Sequence, residues 1–117
     1  MTEDAASYLD DSIEAARKIE RYTAGVSYEE FCDDEKTVDA VLRNFEVIGE
    51  AAKNVPEDVQ QEYPDVPWRE MAGMRDKLIH GYMTIDLEIV WATVENDIPS
   101  LLTQLETVRA AIDDSGT

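Results

Sequence analysis

The chain has 117 residues, with 27 acidic residues against 10 lysines and arginines, for a net charge of −17. This length suits a single domain spanning residues 1–117. One cysteine, Cys32, excludes an internal disulfide, and a single cysteine with a single histidine excludes a Cys/His zinc site. Neither a signal peptide nor an apolar run long enough to cross a bilayer is found, so a soluble, cytoplasmic protein is expected.

The acidic charge has two interpretations. It repels nucleic acid, because a polyanion needs neutralising cations. It is also typical of adaptation to a very salty cytoplasm, where the Debye length falls to about 3 Å and self-repulsion is screened. The second interpretation, a halophilic protein, is favoured. Net charge then does not exclude an RNA substrate, and only the residues of a local site can exclude one.

The N-terminal part predicts one long and one short helix. Residues 3–23 carry apolar side chains at steps of three and four, the period of an amphipathic helix, and Gly25 ends that helix. Residues 27–30 read Ser-Tyr-Glu-Glu, which has the sequence of a capping box.

The middle of the chain predicts a second long helix. Asp33 or Asp34 caps its start, and Pro56 stops it. The segment 57–64 that follows, EDVQQEYP, predicts a short surface helix.

Two further helices complete the prediction. Pro67 lies near the first turn of the next helix. The final apolar pattern covers residues 86–112, and Pro99, which lacks an N–H, should kink or split it. No strand pattern occurs. The predicted fold is all-α, an antiparallel bundle of four main helices plus short ones.

The stretch RDKLIHGY, residues 75–82, contains the only histidine, His80. At about 100° per residue, Arg69, Gly73, Asp76 and His80 form a stripe opposite the apolar side that includes Met71. Asp76 and His80 are one turn apart. A glycine in mid-helix costs about 1 kcal/mol relative to alanine, which is tolerable where another element approaches closely.

This stripe has a plain and a chemical interpretation. In the plain one, an imidazolium suits the last turn of a helix, and Asp76 pairs with it. Arg75 is then a surface charge, and Tyr82 packs in the core. In the chemical one, Arg75 stabilises charge on phosphate and His80 shuttles protons near neutral pH. Acid–base cleavage of RNA usually needs two proton-transfer groups. A two-fold dimer formed on the stripe would bring a second His80 and a second Arg75.

The spacing Arg-x4-His-x-Tyr, from Arg75 to Tyr82, resembles the motif of HEPN-domain ribonucleases and, within them, of the HepT toxin family. The segments EKTVDAVLRNFEVIGEAAK, YPDVPWREMAGMRDKLIHGY and DLEIVWATVENDIPSLLTQL are similar to that family over roughly residues 7–108. The resemblance implies a HEPN-like helical bundle that dimerises and cuts RNA without a metal ion or other cofactor, leaving a 2′,3′-cyclic phosphate.

Roles for individual residues follow from the resemblance. Arg75 and His80 would be catalytic, and Asp76 would orient the histidine. The partner would be a nucleotidyltransferase antitoxin of the MntA type, which adds AMP to the motif tyrosine, here Tyr82. Bulk and negative charge beside His80 should then block RNA. Arg69 and Lys77 are candidate RNA contacts.

Three other side chains leave alternatives open. Glu46 and Glu50 are one turn apart, and a solvated or dimer-facing pair is favoured over a metal site. Asn44 is a candidate to face the cleft at the dimer interface.

The competing functional class is a non-catalytic dimeric module that binds a nucleotide or a partner, which the acidic surface supports.

Overall fold

The structure, a computed structural model, describes the backbone of residues 2–80 and 86–115 and the side chains of residues 5–74 and 86–112. Its described part is helical, with no strand within these residues. The helices are α1 (Thr2–Thr23), α2 (Tyr28–Asp33), α3 (Glu35–Asn54), α4 (Glu57–Glu62), α5 (Trp68–His80), α6 (Leu87–Asn96) and α7 (Ile98–Ser115). The predicted all-α fold is confirmed.

The turn between α1 and α2 follows the two signals in the sequence. Gly25 has φ +73°, the left-handed conformation that glycine adopts at low cost. Ser27 caps α2: its hydroxyl accepts from the N–H of Glu30 at 3.1 Å, and the Glu30 carboxylate accepts from the N–H of Ser27 at 3.0 Å. The predicted capping box is therefore confirmed.

Helix α3 is closed at both ends by side chains. Asp34 is its N-cap and accepts from the N–H of Thr37 at 3.2 Å, as one of the two predicted caps. At the other end, Gln60 of α4 donates to the carbonyls of Ala52 and Val55, at 3.2 and 3.0 Å. These bonds satisfy carbonyls that a helix end leaves without partners. The surface helix α4 thus holds the end of α3.

The final helical pattern is split, as Pro99 predicts. Helix α6 ends at Asn96, and Pro99 is the second residue of α7. Because proline has no N–H, the regular bonding between turns is interrupted there. Asp97 bridges the break, since its N–H donates to the Thr93 carbonyl at 2.9 Å and its carbonyl accepts from Leu101 at 3.0 Å.

One buried apolar cluster draws residues from six of the seven helices, all except α4. Helix α3 is central, because it packs against α1, α2 and α5, while α7 packs against α1 and α6. The largest fully buried side chains are Phe31, Phe45, Leu9, Ile19, Ile48, Met71, Ile98 and Leu105. Among the described residues, no helix is both long enough and apolar enough to cross a membrane.

Two ion pairs on the protein surface link α1 to α7. Arg17 pairs with Glu106, and the Nε of Arg109 lies 2.8 Å from an oxygen of Asp10. Each pair takes one cation and one acid from opposite helices, so the helices are cross-linked in both directions. Such exposed pairs typically contribute about 0–1 kcal/mol each, so the buried face holds α1 against α7.

Candidate functional site

Helix α5, which carries the histidine motif, is anchored at its start. Trp68 is 7% exposed, and its indole N–H donates to the Tyr63 carbonyl at 2.9 Å. Val66, just before the helix, is also buried. Gln104 of α7 donates to the carbonyl of Asp65 at 2.9 Å and fixes the approach to the helix. The first turn of α5 is thereby held against the body of the bundle.

The first half of α5 has one buried and one exposed side. Met71 is 1% exposed, and Met74 is partly buried against the same core. Arg69, Glu70 and Gly73 are exposed. The described members of the predicted stripe, Arg69 and Gly73, therefore point away from the Met71 side, as the helical wheel predicts.

Gly73 has open space around it within this chain. A Cβ built on it would meet nothing within 4 Å. Among the residues that the structure describes, no neighbouring element therefore requires a glycine at this position. The close approach expected from the sequence is not made by any of these residues.

The motif residues lie in the second half of α5. Arg75, Asp76, Lys77 and His80 belong to a continuous helix that ends at His80, and their side chains lie outside the described residues. With a rise of 1.5 Å per residue, Arg75 and His80 are about 7.5 Å apart along the helix axis and Asp76 and His80 about 6 Å. Tyr82, the predicted modification site, lies outside the described residues.

Helix α3 packs beside α5 and carries the three side chains left open by the sequence. Asn44 is 8% exposed and donates from Nδ2 to the carbonyl of Ala40 at 2.8 Å, one turn back in its own helix. Its amide group is thus partly used within α3. This observation favours a packing role for Asn44.

Glu46 and Glu50 line a cavity of about 360 Å³ between α1 and α3. Tyr8 and Asp11 form the α1 side of this cavity. Glu46 is held by Arg43 on the same helix, with 3.4 Å between nitrogen and oxygen. Among the described residues, no group of three His, Cys, Asp or Glu side chains is placed to hold a metal ion. The solvated or dimer-facing pair favoured from the sequence stays a prediction.

A second cluster on the surface was not predicted from the sequence. Trp91 of α6 is half-buried, and its ring centroid lies 5.0 Å from that of Phe31 and 6.2 Å from that of Tyr28. A hydrogen bond with Cys32, with loss of water contact and nearby Glu88 and Asp86 adding to it, raises the pKa of Tyr28 to about 12. The spacing of Tyr28, Phe31 and Cys32 along α2 was the available signal. Their meeting with Trp91 depends on the tertiary fold.

Comparison with known families gives a match that covers most of the chain. The family model described as Ribonuclease HepT-like matches residues 12–108, which include all of α5 and the motif residues up to Tyr82. No solved structure matches the chain significantly.

Three curated relatives match over at least 90% of their own length. A Thermococcus cleftensis protein named "Probable ribonuclease HepT" is 50% identical over 102 residues, 87% of this chain and 93% of its own. A Methanocaldococcus jannaschii protein whose name describes it as an RNase is 44% identical over 110 residues, 94% and 91% of the two chains. A further such protein, from Caldanaerobacter subterraneus, is 38% identical over 101 residues, 86% and 90%.

Proposed function

The chain belongs to the HepT-like ribonuclease family, and we propose that it is a metal-independent RNA endonuclease that acts as the toxin of a toxin–antitoxin pair. The predicted family is thus confirmed, and membership of this family assigns the chain to the ribonucleases. The observation that carries the proposal is the family match over residues 12–108, since it spans Arg75 and His80. We retain a single domain over residues 1–117 and a cytoplasmic location as predictions.

In the proposed reaction, the ribose 2′-oxygen attacks the adjacent phosphorus while the bond to the 5′-oxygen breaks. A base accepts the 2′-hydroxyl proton, and an acid gives a proton to the leaving 5′-oxygen. His80 serves as a proton-transfer group, and Asp76, one turn earlier on α5, orients it. Arg75 stabilises the negative charge that builds on the phosphate oxygens. The products are a 2′,3′-cyclic phosphate and a free 5′-hydroxyl.

A homodimer supplies the second proton-transfer group that a chain with one histidine lacks. We place the interface on the stripe of Arg69, Gly73, Asp76 and His80. The exposure of Arg69 and Gly73, and the open space at Gly73, support this choice. A two-fold axis near this stripe brings two copies of each motif residue to one composite site.

RNA binding to such an acidic chain requires a local group of cations. Arg69, Arg75 and Lys77 lie on α5, the helix that carries His80. Two copies bring six arginines and lysines to the interface, and two more positive charges when both histidines are protonated. We assign Arg69 and Lys77 to phosphate contacts, where each cation lost should weaken binding and reduce its dependence on salt.

Control of the toxin is assigned to Tyr82. A nucleotidyltransferase antitoxin of the MntA type would join AMP to its hydroxyl through a phosphodiester. The added phosphate repels the RNA backbone, and the nucleoside blocks the cleft. Tyr82→Phe should keep ribonuclease activity and escape inactivation. Transfer of labelled AMP to another residue would contradict this assignment.

A second candidate function is a non-catalytic dimeric module that binds a nucleotide or a partner protein. The net charge of −17 favours it, because the surface as a whole repels RNA. In this version the motif serves as a substrate for modification.

Expression of matched variants separates the two functions. Wild type, Arg75→Ala, His80→Ala and the control Lys36→Ala, an exposed cation at the start of α3, are expressed with and without the nucleotidyltransferase. The enzyme proposal predicts growth arrest and RNA cleavage by the wild type and Lys36→Ala alone. Equal behaviour of all four chains would favour the binding module.

A further inference from the structure

A half-buried tryptophan, Trp91, lies at the centre of an open surface formed by the end of α1, α2, α6 and the start of α7. Its ring packs on buried Phe31, with centroids 5.0 Å apart, and Tyr28 stands beside it at 6.2 Å. The support from Phe31 and Tyr28 restrains the indole ring while part of it stays open to solvent. A restrained, partly exposed tryptophan is a typical anchor for protein recognition.

Two cavities meet at this ring. One, of about 440 Å³, lies between Tyr28 and the outer side of α6. The other, of about 320 Å³, runs along the Gly25 turn to Pro99. Trp91 and Glu95 line both cavities, so the two form one continuous surface, which we call the Trp91 surface.

The charged side chains described on the Trp91 surface are all acidic. Glu88, Glu95 and Glu20 line its two cavities, and within the described residues no lysine or arginine does. The cavity between α1 and α3 differs, because Arg43 stands among its acids. The electrostatic effect of Glu88 and Asp86 on Tyr28 agrees with a negative potential here.

We propose that the Trp91 surface binds a basic segment of a partner protein, with an arginine or lysine side chain lying against Trp91 between Glu88 and Glu95. Aromatic faces attract cations, and guanidinium groups stack well on indole. The carboxylates complete the pairing and repel the phosphates of RNA. This inference is independent of the proposed ribonuclease activity, because none of its residues belongs to α5.

The probe for this surface is a blocked pentapeptide, acetyl-Ala-Arg-Leu-Arg-Ala-amide, compared with the same peptide carrying uncharged citrulline in place of arginine. The full chain, labelled with nitrogen-15, is titrated by NMR. The indole N–H of Trp91 reports binding, and that of buried Trp68 serves as the internal reference. We expect a saturable shift at Trp91 and α6 alone, with the citrulline peptide at least about tenfold weaker.

Three variants test the chemistry of the site. Glu88→Gln/Glu95→Gln should weaken the arginine peptide about tenfold and leave the citrulline peptide unchanged. Trp91→Ala, followed through the amides of α6, should abolish binding, and Trp91→Phe should retain part of it. The substitution Glu14→Gln, an exposed acid on α1 outside the surface, should change nothing.

Several results would overturn the inference. These are equal binding of both peptides, shifts spread over the acidic surface that persist in Trp91→Ala, or no saturation by about 10 mM peptide. A single-stranded oligouridine that shifts Trp91 in place of the peptide would also overturn it, and would assign the surface to RNA.

Discussion

Replacement of Gly73 by alanine separates the stability of the single chain from that of the proposed dimer. Gly73 lies inside α5, and a Cβ there would meet nothing within 4 Å. Alanine in a helix interior is better than glycine by about 0.5–1 kcal/mol. With no clash to offset this gain, the monomer should become more stable by that amount, which raises its Tm by roughly 2–4 °C.

The dimer should respond in the opposite direction if a second chain approaches closely at Gly73. An added methyl group between two packed helices forces them apart, and overpacking typically costs about 1–3 kcal/mol. Gly73→Ala would then raise the dimer dissociation constant by roughly 5- to 150-fold.

Urea unfolding at low chain concentration measures the monomer, and sedimentation equilibrium measures dimerisation. Gly25→Ala is the matched control, since the φ of Gly25 is +73° and an alanine there should destabilise the chain by roughly 1–2 kcal/mol. A Gly73→Ala monomer less stable than wild type would refute the claim that α5 has open space for a methyl group at Gly73. A more stable monomer with unchanged dimerisation would remove Gly73 from the interface.

Three further predictions concern the described side chains. Cys32→Ala should lower the pKa of Tyr28 from about 12 towards its ordinary 10.0, because the hydrogen bond with Cys32 is the main cause of the raised pKa. Ultraviolet titration of Cys32→Ala, compared with Cys32→Ala/Tyr28→Phe, isolates the signal of this one tyrosine. Hydrogen bonds from Ser27 and Thr37 hold the pKa values of Glu30 and Asp34 below their ordinary 4.5 and 3.8. The two carboxylate caps therefore stabilise the fold fully above the ordinary pKa values, and this stabilisation is lost as the pH falls through the lowered pKa values. The urea midpoint of Glu30→Gln/Asp34→Asn should therefore be below wild type at pH 6 and converge on it once the pH is low enough to protonate both carboxylates; a constant gap would contradict the assignment. Trp68→Phe removes the indole bond to the Tyr63 carbonyl and should cost about 1–3 kcal/mol in urea unfolding, and a neutral effect would show that this bond does not anchor α5.

The helices were largely predictable because their ends are set by local chemistry. Ser27, Asp34, Gly25 and Pro99 each act on the backbone within a few residues, and each marks a helix end where the sequence predicted one. The two sides of α5 were predictable for the same reason, since helical periodicity alone separates Met71 from Arg69.

Features that depend on distant residues could not be predicted. Trp91 meets Phe31 and Tyr28 across 60 and 63 positions of the chain, and no local pattern indicates that contact. Asn44 was considered for the cleft, but its burial is decided by the helices packed around α3. The catalytic assignment of Arg75 and His80 came from a motif and a resemblance, because the composite site proposed here needs a second chain.

The most direct test of the central claim is cleavage of a defined single-stranded RNA by the purified protein in excess EDTA, with the product ends identified. We predict cleavage in EDTA that leaves 2′,3′-cyclic phosphates, and its loss by at least about a hundredfold in both Arg75→Ala and His80→Ala. Circular dichroism should show both variants folded. Cleavage that persists in Arg75→Ala or His80→Ala, or that requires an added metal ion, would contradict the account.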